Sequence, residues 1–204
     1  MKTKFLIAVA IVFLAMTGRA EADLLLSDMQ LNGKNADAAA FVPGNNNQDA
    51  GVFNDLGGLF GGKEFTEIVK DDPPGGAAGT GSFAGINFTL QASGKTTAGT
   101  WILTWSGAIL PVKIDLVGVL KGGSVGYAAY LFDDEILTAV PGTNRSDTWT
   151  ISFTNKGGQT PDLSHLTLYG RDVERQQTPV PEPATMLLFG SGLMGIGLAR
   201  RKKK

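Results

Sequence analysis

Residues 100–108, TWILTWSGA, decide the fold class of this 204-residue chain. In this stretch Trp101, Leu103 and Trp105 alternate with isoleucine and threonine. Successive residues of a β-strand point to opposite faces, so a period of two places these three side chains together. We therefore expect a strand whose tryptophan-bearing face lies in a core.

Segments of the same kind occur along the central part of the chain. Residues 148–154, TWTISFT, repeat the alternation, and we expect Trp149 to be largely buried with Trp101 and Trp105. Glycine and proline concentrate in two predicted loops, residues 42–55 and 71–82. The pattern predicts an all-β fold over residues 23–175, an antiparallel, jelly-roll-like β-sandwich. The other predicted strands cover residues 24–31, 65–70, 83–92, 112–120, 125–132 and 164–169.

The N-terminal residues have the three parts of a secretory signal peptide. Lys2 and Lys4 precede an apolar run over residues 5–16, and Ala20 and Ala22 flank Glu21 in a small-x-small pattern. The run is short for a membrane span, which needs about 20 residues. The sequence therefore predicts export, with signal peptidase removing residues 1–22.

The C-terminal residues also have three parts, which follow a polar spacer at residues 176–179. Pro181, Glu182 and Pro183 form the first part, and residues 184–199 carry no charge. This run predicts a transmembrane helix, which at 1.5 Å per residue spans about 24 Å. A cluster of basic residues would hold its end in the cytoplasm as a stop-transfer tail. The cluster consists of Arg200, Arg201, Lys202, Lys203 and Lys204.

This order of motif, apolar segment and basic cluster resembles the PEP-CTERM protein-sorting signal, whose segment also carries an "ice-binding protein C-terminal" label. The resemblance implies that residues 180–204 are recognised and processed by an exosortase, a membrane transpeptidase-like enzyme. It also implies a cell surface or biofilm matrix location in a Gram-negative bacterium that makes exopolysaccharide. Residues 101–171 resemble the bodies of many such proteins, and that likeness carries no known chemistry.

Composition excludes several classes of site. The chain has no cysteine, which excludes disulfides, Cys-ligated zinc and a thiol nucleophile, and its one histidine, His165, excludes a histidine-rich metal site. Between the two terminal signals, ten basic residues face seventeen acidic ones, a net charge of about −7. An acidic body argues against nucleic acid as a partner.

Two groups of side chains remain as candidate binding sites. Asp133, Asp134 and Glu135 are the densest acidic cluster and could bind Ca²⁺, which prefers oxygen ligands, or form a solvated turn. The aromatic residues Trp101, Trp105 and Tyr130 could stack on sugar rings or belong to the core.

No nucleophile elbow or other catalytic motif is present, so we expect a non-enzymatic envelope or matrix protein associated with exopolysaccharide, with no cofactor. The alternatives are a secreted carbohydrate-active hydrolase that uses Asp133 and Glu135, and a calcium-dependent carbohydrate-binding module.

Overall fold

The computed structural model describes residues 23–44, 56–72, 77–94, 96–139, 142–143, 146–155 and 157–176. Within these residues the chain forms almost only β-strands, apart from a short 3₁₀ helix at Leu26–Asp28 and a helical stretch over residues 56–60. The strands are β1 (Gln30–Leu31), β2 (Lys34–Asn35), β3 (Ala38–Pro43), β4 (Thr66–Asp71), β5 (Gly79–Phe83), β6 (Ile86–Ala92), β7 (Ala98–Ser106), β8 (Val112–Gly122), β9 (Gly126–Leu137), β10 (Asp147–Thr150) and β11 (Leu163–Arg175).

The strands form two large sheets and one small hairpin. A four-stranded sheet has the order β10-β7-β6-β5, and a five-stranded sheet has the order β3-β9-β8-β11-β4. Strands β1 and β2 form the hairpin, and all neighbours in the three sheets run antiparallel. The predicted all-β, antiparallel fold is thus confirmed, while its jelly-roll-like character stays a prediction.

One apolar core joins the inner faces of the two large sheets. Trp101 and Trp149 of the four-stranded sheet are 0 % exposed and Trp105 is 6 % exposed. They share this core with residues of the five-stranded sheet such as Ile114 and Leu168. The burial predicted for the three tryptophans is therefore confirmed, and the alternation in β7 separates a core face from a solvent face as expected.

The five-stranded sheet is covered on its outer face as well. Val117, Val119 and Tyr169 lie on this face and form a second buried cluster with Leu56 and Phe65. Alternation predicted one buried face for β8, yet almost the whole strand is buried. The reason is that the segment around residues 56–65 packs on the side that the pattern left for solvent.

Two predicted strands continue further than expected, since those at 125–132 and 164–169 reach Leu137 and Arg175. The strand predicted at 148–154 ends instead at Thr150.

Other predicted boundaries are wrong as well. Residues 24–31 were expected as one strand, but they form the 3₁₀ helix and the two-residue strand β1. The predicted strand at 83–92 is interrupted by a turn at Ala84 and Gly85, both with positive φ. That turn makes β5 and β6 a hairpin, and β5 occupies the end of the predicted 71–82 loop.

The two predicted terminal segments, residues 1–22 and 180–204, lie outside the described residues. Within the part of the chain that the structure describes, no helix is both long enough and apolar enough to cross a membrane.

Candidate functional site

A β-bulge brings together carboxylates that are distant in sequence. In the pairing of β8 with β9, Ile114 lies opposite Glu135 and Leu116 opposite Phe132. Two residues of β9, Asp133 and Asp134, therefore face the single residue Asp115, as in a bulge that inserts one extra residue.

Asp134 takes up the extra length with a φ of 56°, a conformation that aspartate tolerates better than most residues. Carboxylate oxygens of Asp115, Asp133 and Asp134 all lie within 4.8 Å of one another. We call these three residues the acidic cluster.

A second bulge on the other side of β8 brings a cation to the same place. In β11, Arg171 pairs with Asp115, the next paired residue is Glu174, and Asp172 between them has a φ of 49°. The Arg171 Nε donates to Asp115 Oδ2 at 3.0 Å, and both side chains are 10 % exposed. The same guanidinium lies 4.2 Å from the centre of the Phe65 ring, a cation–π geometry.

Arg171 also ties the loop that precedes β4 to the sheet. Its guanidinium donates to the carbonyl oxygen of Gly61 and, at 3.1 Å, to that of Lys63. The Lys63 ammonium in turn contacts the carboxylate of Asp172. Arg171 thus joins the acidic cluster to the segment that covers the outer face of the five-stranded sheet.

Further contacts neutralise much of the negative charge of the acidic cluster. Lys113 Nζ lies 2.9 Å from Asp134 Oδ1 and 3.5 Å from Glu174 Oε2. The Asp134 N–H donates to Asp115 Oδ1 at 3.1 Å, so both oxygens of Asp115 accept hydrogen bonds. The arrangement is therefore an ion-pair network in which two of the three carboxylates already have partners.

Asp133 is the member of the acidic cluster whose surroundings disfavour the ionised form of the carboxylate. Partial burial raises its pKa, and the neighbouring charges of Asp115, Asp134 and Asp37 raise it further. The Asp133 N–H donates to Asp37 Oδ2 at 2.8 Å, which holds a fourth carboxylate close to the acidic cluster. The side chain of Asp133 is exposed, so a proton or a cation can reach it from solvent.

The structure changes the membership of the predicted metal site. Asp133 and Asp134 come together as expected, but Glu135 points elsewhere and is buried. Its Oε1 lies 3.3 Å from Lys34 Nζ of the small hairpin. Asp115 is the third member of the cluster instead of Glu135, because the bulge places Asp115 against Asp133 and Asp134.

The three oxygens of the acidic cluster are of the type that Ca²⁺ prefers, but Ca²⁺ takes six to eight ligands. Binding here would require Lys113 and Arg171 to release carboxylate oxygens that they hold. The geometry fits a structural role of the cluster better than a ready calcium site.

Of the two interpretations of the aromatic residues, a sugar platform or part of the core, the structure supports the core. Trp101 and Tyr130 are 0 % exposed and Trp105 is 6 % exposed. The Trp101 Nε1 donates to Gln30 O at 3.0 Å, and the Trp105 Nε1 donates to Thr138 O at 2.8 Å. Such burial leaves no ring face on which a sugar could stack.

The residues predicted for sorting and processing lie outside the described residues. They are Ala20 and Ala22 at the signal peptidase site, Pro181, Glu182 and Pro183 in the motif, and the basic residues 200–204.

Comparison with known proteins bears on the C-terminal segment alone. A family model, the PEP-CTERM protein-sorting motif, matches residues 179–203, which include all three motif residues. No curated protein and no solved structure matches the chain. The match implies an exported, cell-surface-directed protein that an exosortase processes. The chain therefore carries a PEP-CTERM protein-sorting motif.

Proposed function

We propose that this protein is a non-enzymatic component of the cell envelope or extracellular matrix of a Gram-negative bacterium, associated with exopolysaccharide. Signal peptidase would release residues 1–22, and the helix at 184–199 would hold the chain in the membrane until an exosortase acts at Pro181-Glu182-Pro183. The observation that carries this proposal is the match of residues 179–203 to the PEP-CTERM protein-sorting motif.

We propose further that the exported body, residues 23–175, is a jelly-roll-like β-sandwich that the spacer at 176–179 holds away from the membrane. The single core shared by the two large sheets supports a sandwich. Such a body needs neither a cofactor nor a disulfide to fold, because 153 residues are enough for one core.

The contacts of the buried carboxylates support a structural role. Asp147 accepts backbone N–H groups of Asn32 and Gly33 at 2.6 and 2.8 Å, and Asp71 accepts the N–H of Ala92 at 2.7 Å. These contacts fix turns and join elements. They therefore support a structural role for Asp147 and Asp71.

The motif is tested by replacing Pro181, Glu182 and Pro183 with alanine in a host that carries an exosortase. Five basic residues at the end of the chain oppose passage through the bilayer, since each costs about 2.5–3.5 kcal/mol at a helix centre. We expect the alanine variant to remain in the membrane fraction at full length on an immunoblot, because its anchor is intact.

Two further variants complete this experiment. Deletion of residues 200–204 should let the chain slip through the membrane or leave it unprocessed. Alanine at the three spacer positions 176–178 is the matched control and should be processed like the parent. If the variant without the Pro-Glu-Pro motif were released as efficiently as the parent, the tail would be a plain membrane anchor.

The alternative functions predict different measurements. A hydrolase that uses Asp133 and Glu135 would degrade polysaccharides and lose turnover in Asp133→Asn. A calcium-dependent carbohydrate-binding module would bind sugar only when calcium is present. The burial of Glu135 speaks against the first of these, because its carboxylate is turned away from Asp133 and toward Lys34.

A further inference from the structure

Among the described residues, the solvent-facing side of the four-stranded sheet carries no charged side chain. Along β7 every second residue from Ala98 to Ser106 is exposed, and neighbouring strands show the same alternation. We call this surface the hydroxyl face, because ten of its members are Thr, Ser, Asn or Gln and their side chains both donate and accept hydrogen bonds. It consists of Thr80, Ser82, Asn87, Thr89, Gln91, Ala98, Thr100, Ile102, Thr104, Ser106, Thr148 and Thr150.

Strand register orders these side chains into rows across the sheet. Thr80 lies opposite Thr89, and Thr89 lies opposite Thr104. An isolated bridge then pairs Thr104 with Thr143, so four threonines follow one another across the strands. Neighbouring strands are about 4.7–4.9 Å apart, which spaces the hydroxyls on the scale of one sugar ring.

The twelve residues of the hydroxyl face include no charged side chain, although the protein as a whole is acidic. Charged residues make up about 25–35 % of an ordinary soluble surface, so about three or four would be expected among these twelve positions. Ion pairs such as Lys113–Asp134 and Lys70–Asp72 lie on the five-stranded sheet or beside it. The hydroxyl face is therefore a neutral surface on a body whose net charge is about −7.

An apolar residue lies within the hydroxyl face. Ile102 is 40 % exposed, and Gln91 lies directly opposite it on β6. A pyranose ring has one kind of surface rich in hydroxyls and another rich in C–H groups. The polar rows can form hydrogen bonds with the sugar hydroxyls, and the exposed Ile102 can pack against the C–H groups.

We propose that the hydroxyl face binds a neutral polysaccharide. This inference rests on the proposed association with exopolysaccharide and names the surface and the class of glycan. An acidic polymer would be repelled by the net charge of the body. A cationic ligand would find no carboxylate among the twelve described residues of this face. A neutral chain can lie flat on it, with hydrogen bonds to the threonine row and a C–H contact to Ile102.

Affinity electrophoresis of the full chain, purified in detergent, tests this proposal. Native gels contain hydroxyethyl cellulose, xylan, galactomannan or dextran as neutral probes, or alginate as an acidic probe. We expect at least one neutral probe to retard the parent and alginate to leave its mobility unchanged. The double variant Thr89→Arg and Thr104→Arg places two long cations in the threonine row and should weaken retardation by about tenfold.

Controls separate binding from folding. Thr66→Arg makes the same change at an exposed position of β4, on the other sheet, and should bind like the parent. Thermal unfolding checks each variant, and Thr104→Lys alone serves if the double variant does not fold.

The proposal is overturned if no neutral probe retards the parent, if the arginine variant binds as well as the parent, or if only alginate binds. None of these results touches the sorting motif, which the immunoblot measures separately.

Discussion

Asp28 is a buried aspartate near the start of the body that accepts several hydrogen bonds, so its replacement should lower the stability of the fold. Its carboxylate is 6 % exposed, and one oxygen, Oδ2, accepts three hydrogen bonds. The donors are Leu25 N at 2.8 Å, Ser152 Oγ at 2.6 Å and Tyr130 Oη at 3.4 Å. Asp28 thus joins the 3₁₀ helix to β9 and to the segment after β10.

The cost of Asp28→Ala follows from these distances. A hydrogen bond to a charged group contributes about 1.5–3 kcal/mol, and two of the three have short, strong geometry. Leu25 N and Ser152 Oγ are only partly buried and can turn to water, which offsets part of the loss. We expect the free energy of unfolding to fall by about 2–4 kcal/mol, or the Tm by about 5–15 °C.

Thermal unfolding followed by near-ultraviolet circular dichroism measures this loss, with exposed Asp162→Ala as the matched control. Burial and the charge of Asp28 raise the pKa of Tyr130, so its phenol stays a neutral donor. Tyr130→Phe should therefore cost stability in the parent and almost nothing beside Asp28→Ala. A Tm for Asp28→Ala within about 2 °C of the parent would refute this reasoning.

Three further predictions concern other parts of the fold. Because the pKa of Asp133 is raised in the folded protein, protonation of Asp133 adds to the free energy of unfolding at low pH. This contribution is lost as the pH rises from 3.8 through the raised pKa. Urea unfolding should show that the free energy of unfolding of Asp133→Asn does not fall over this pH range and is at least that of the parent at pH 7. An Asp133→Asn variant less stable than the parent at pH 7 would contradict this prediction. Gly81→Ala should cost about 1–3 kcal/mol in the same assay, because a Cβ there would lie 1.8 Å from the carbonyl oxygen of Ile68 on β4. Its control, Gly58→Ala, adds a Cβ in open space and should change stability by at most about 0.5 kcal/mol, so equal losses in the two variants would count against the contact. Millimolar calcium should leave the Tm unchanged, since Lys113 already holds Asp134; a rise of several degrees that Asp134→Asn abolishes would establish a calcium site instead.

The alternation of apolar residues predicted strand faces well where one face meets water. In β7 it separated Trp101, Leu103 and Trp105 from exposed neighbours, and the structure has the same division. It failed for β8, because the second buried face depends on a segment about fifty residues earlier in the chain. Periodicity within one strand contains no information about what packs on its other side.

The turn between β1 and β2 has a recognisable sequence. Asn32 and Gly33 have φ values of 55° and 75° and connect β1 to β2, and Asn-Gly is a strong hairpin signal. The Asn-Gly pair therefore marks the end of β1 and predicts β2 as its partner strand, whereas residues 26–28 are helical because Asp28 accepts the N–H of Leu25. The strand β3 was missed for a different reason, since its sequence AAAFVP has no alternation.

The acidic cluster and the hydroxyl face could be predicted only in part. Asp133 and Asp134 are adjacent in sequence, but Asp115 and Arg171 join them through bulges in two different strand pairs. The row of Thr80, Thr89, Thr104 and Thr143 likewise draws one member from each of three strands and one from a bridge outside the strands. Such sites depend on register, whereas the sorting motif is contiguous and was recognisable from the residues alone.

The most direct test of the central claim is the intact mass of the protein in two strains, one with an exosortase and one without it. We expect the protein from the exosortase-bearing strain to start at Asp23 and to lack the basic residues 200–204. The strain without an exosortase should yield the same N-terminus with the full C-terminal segment, retained in the membrane fraction. An identical mass and an identical distribution in both strains would contradict exosortase sorting.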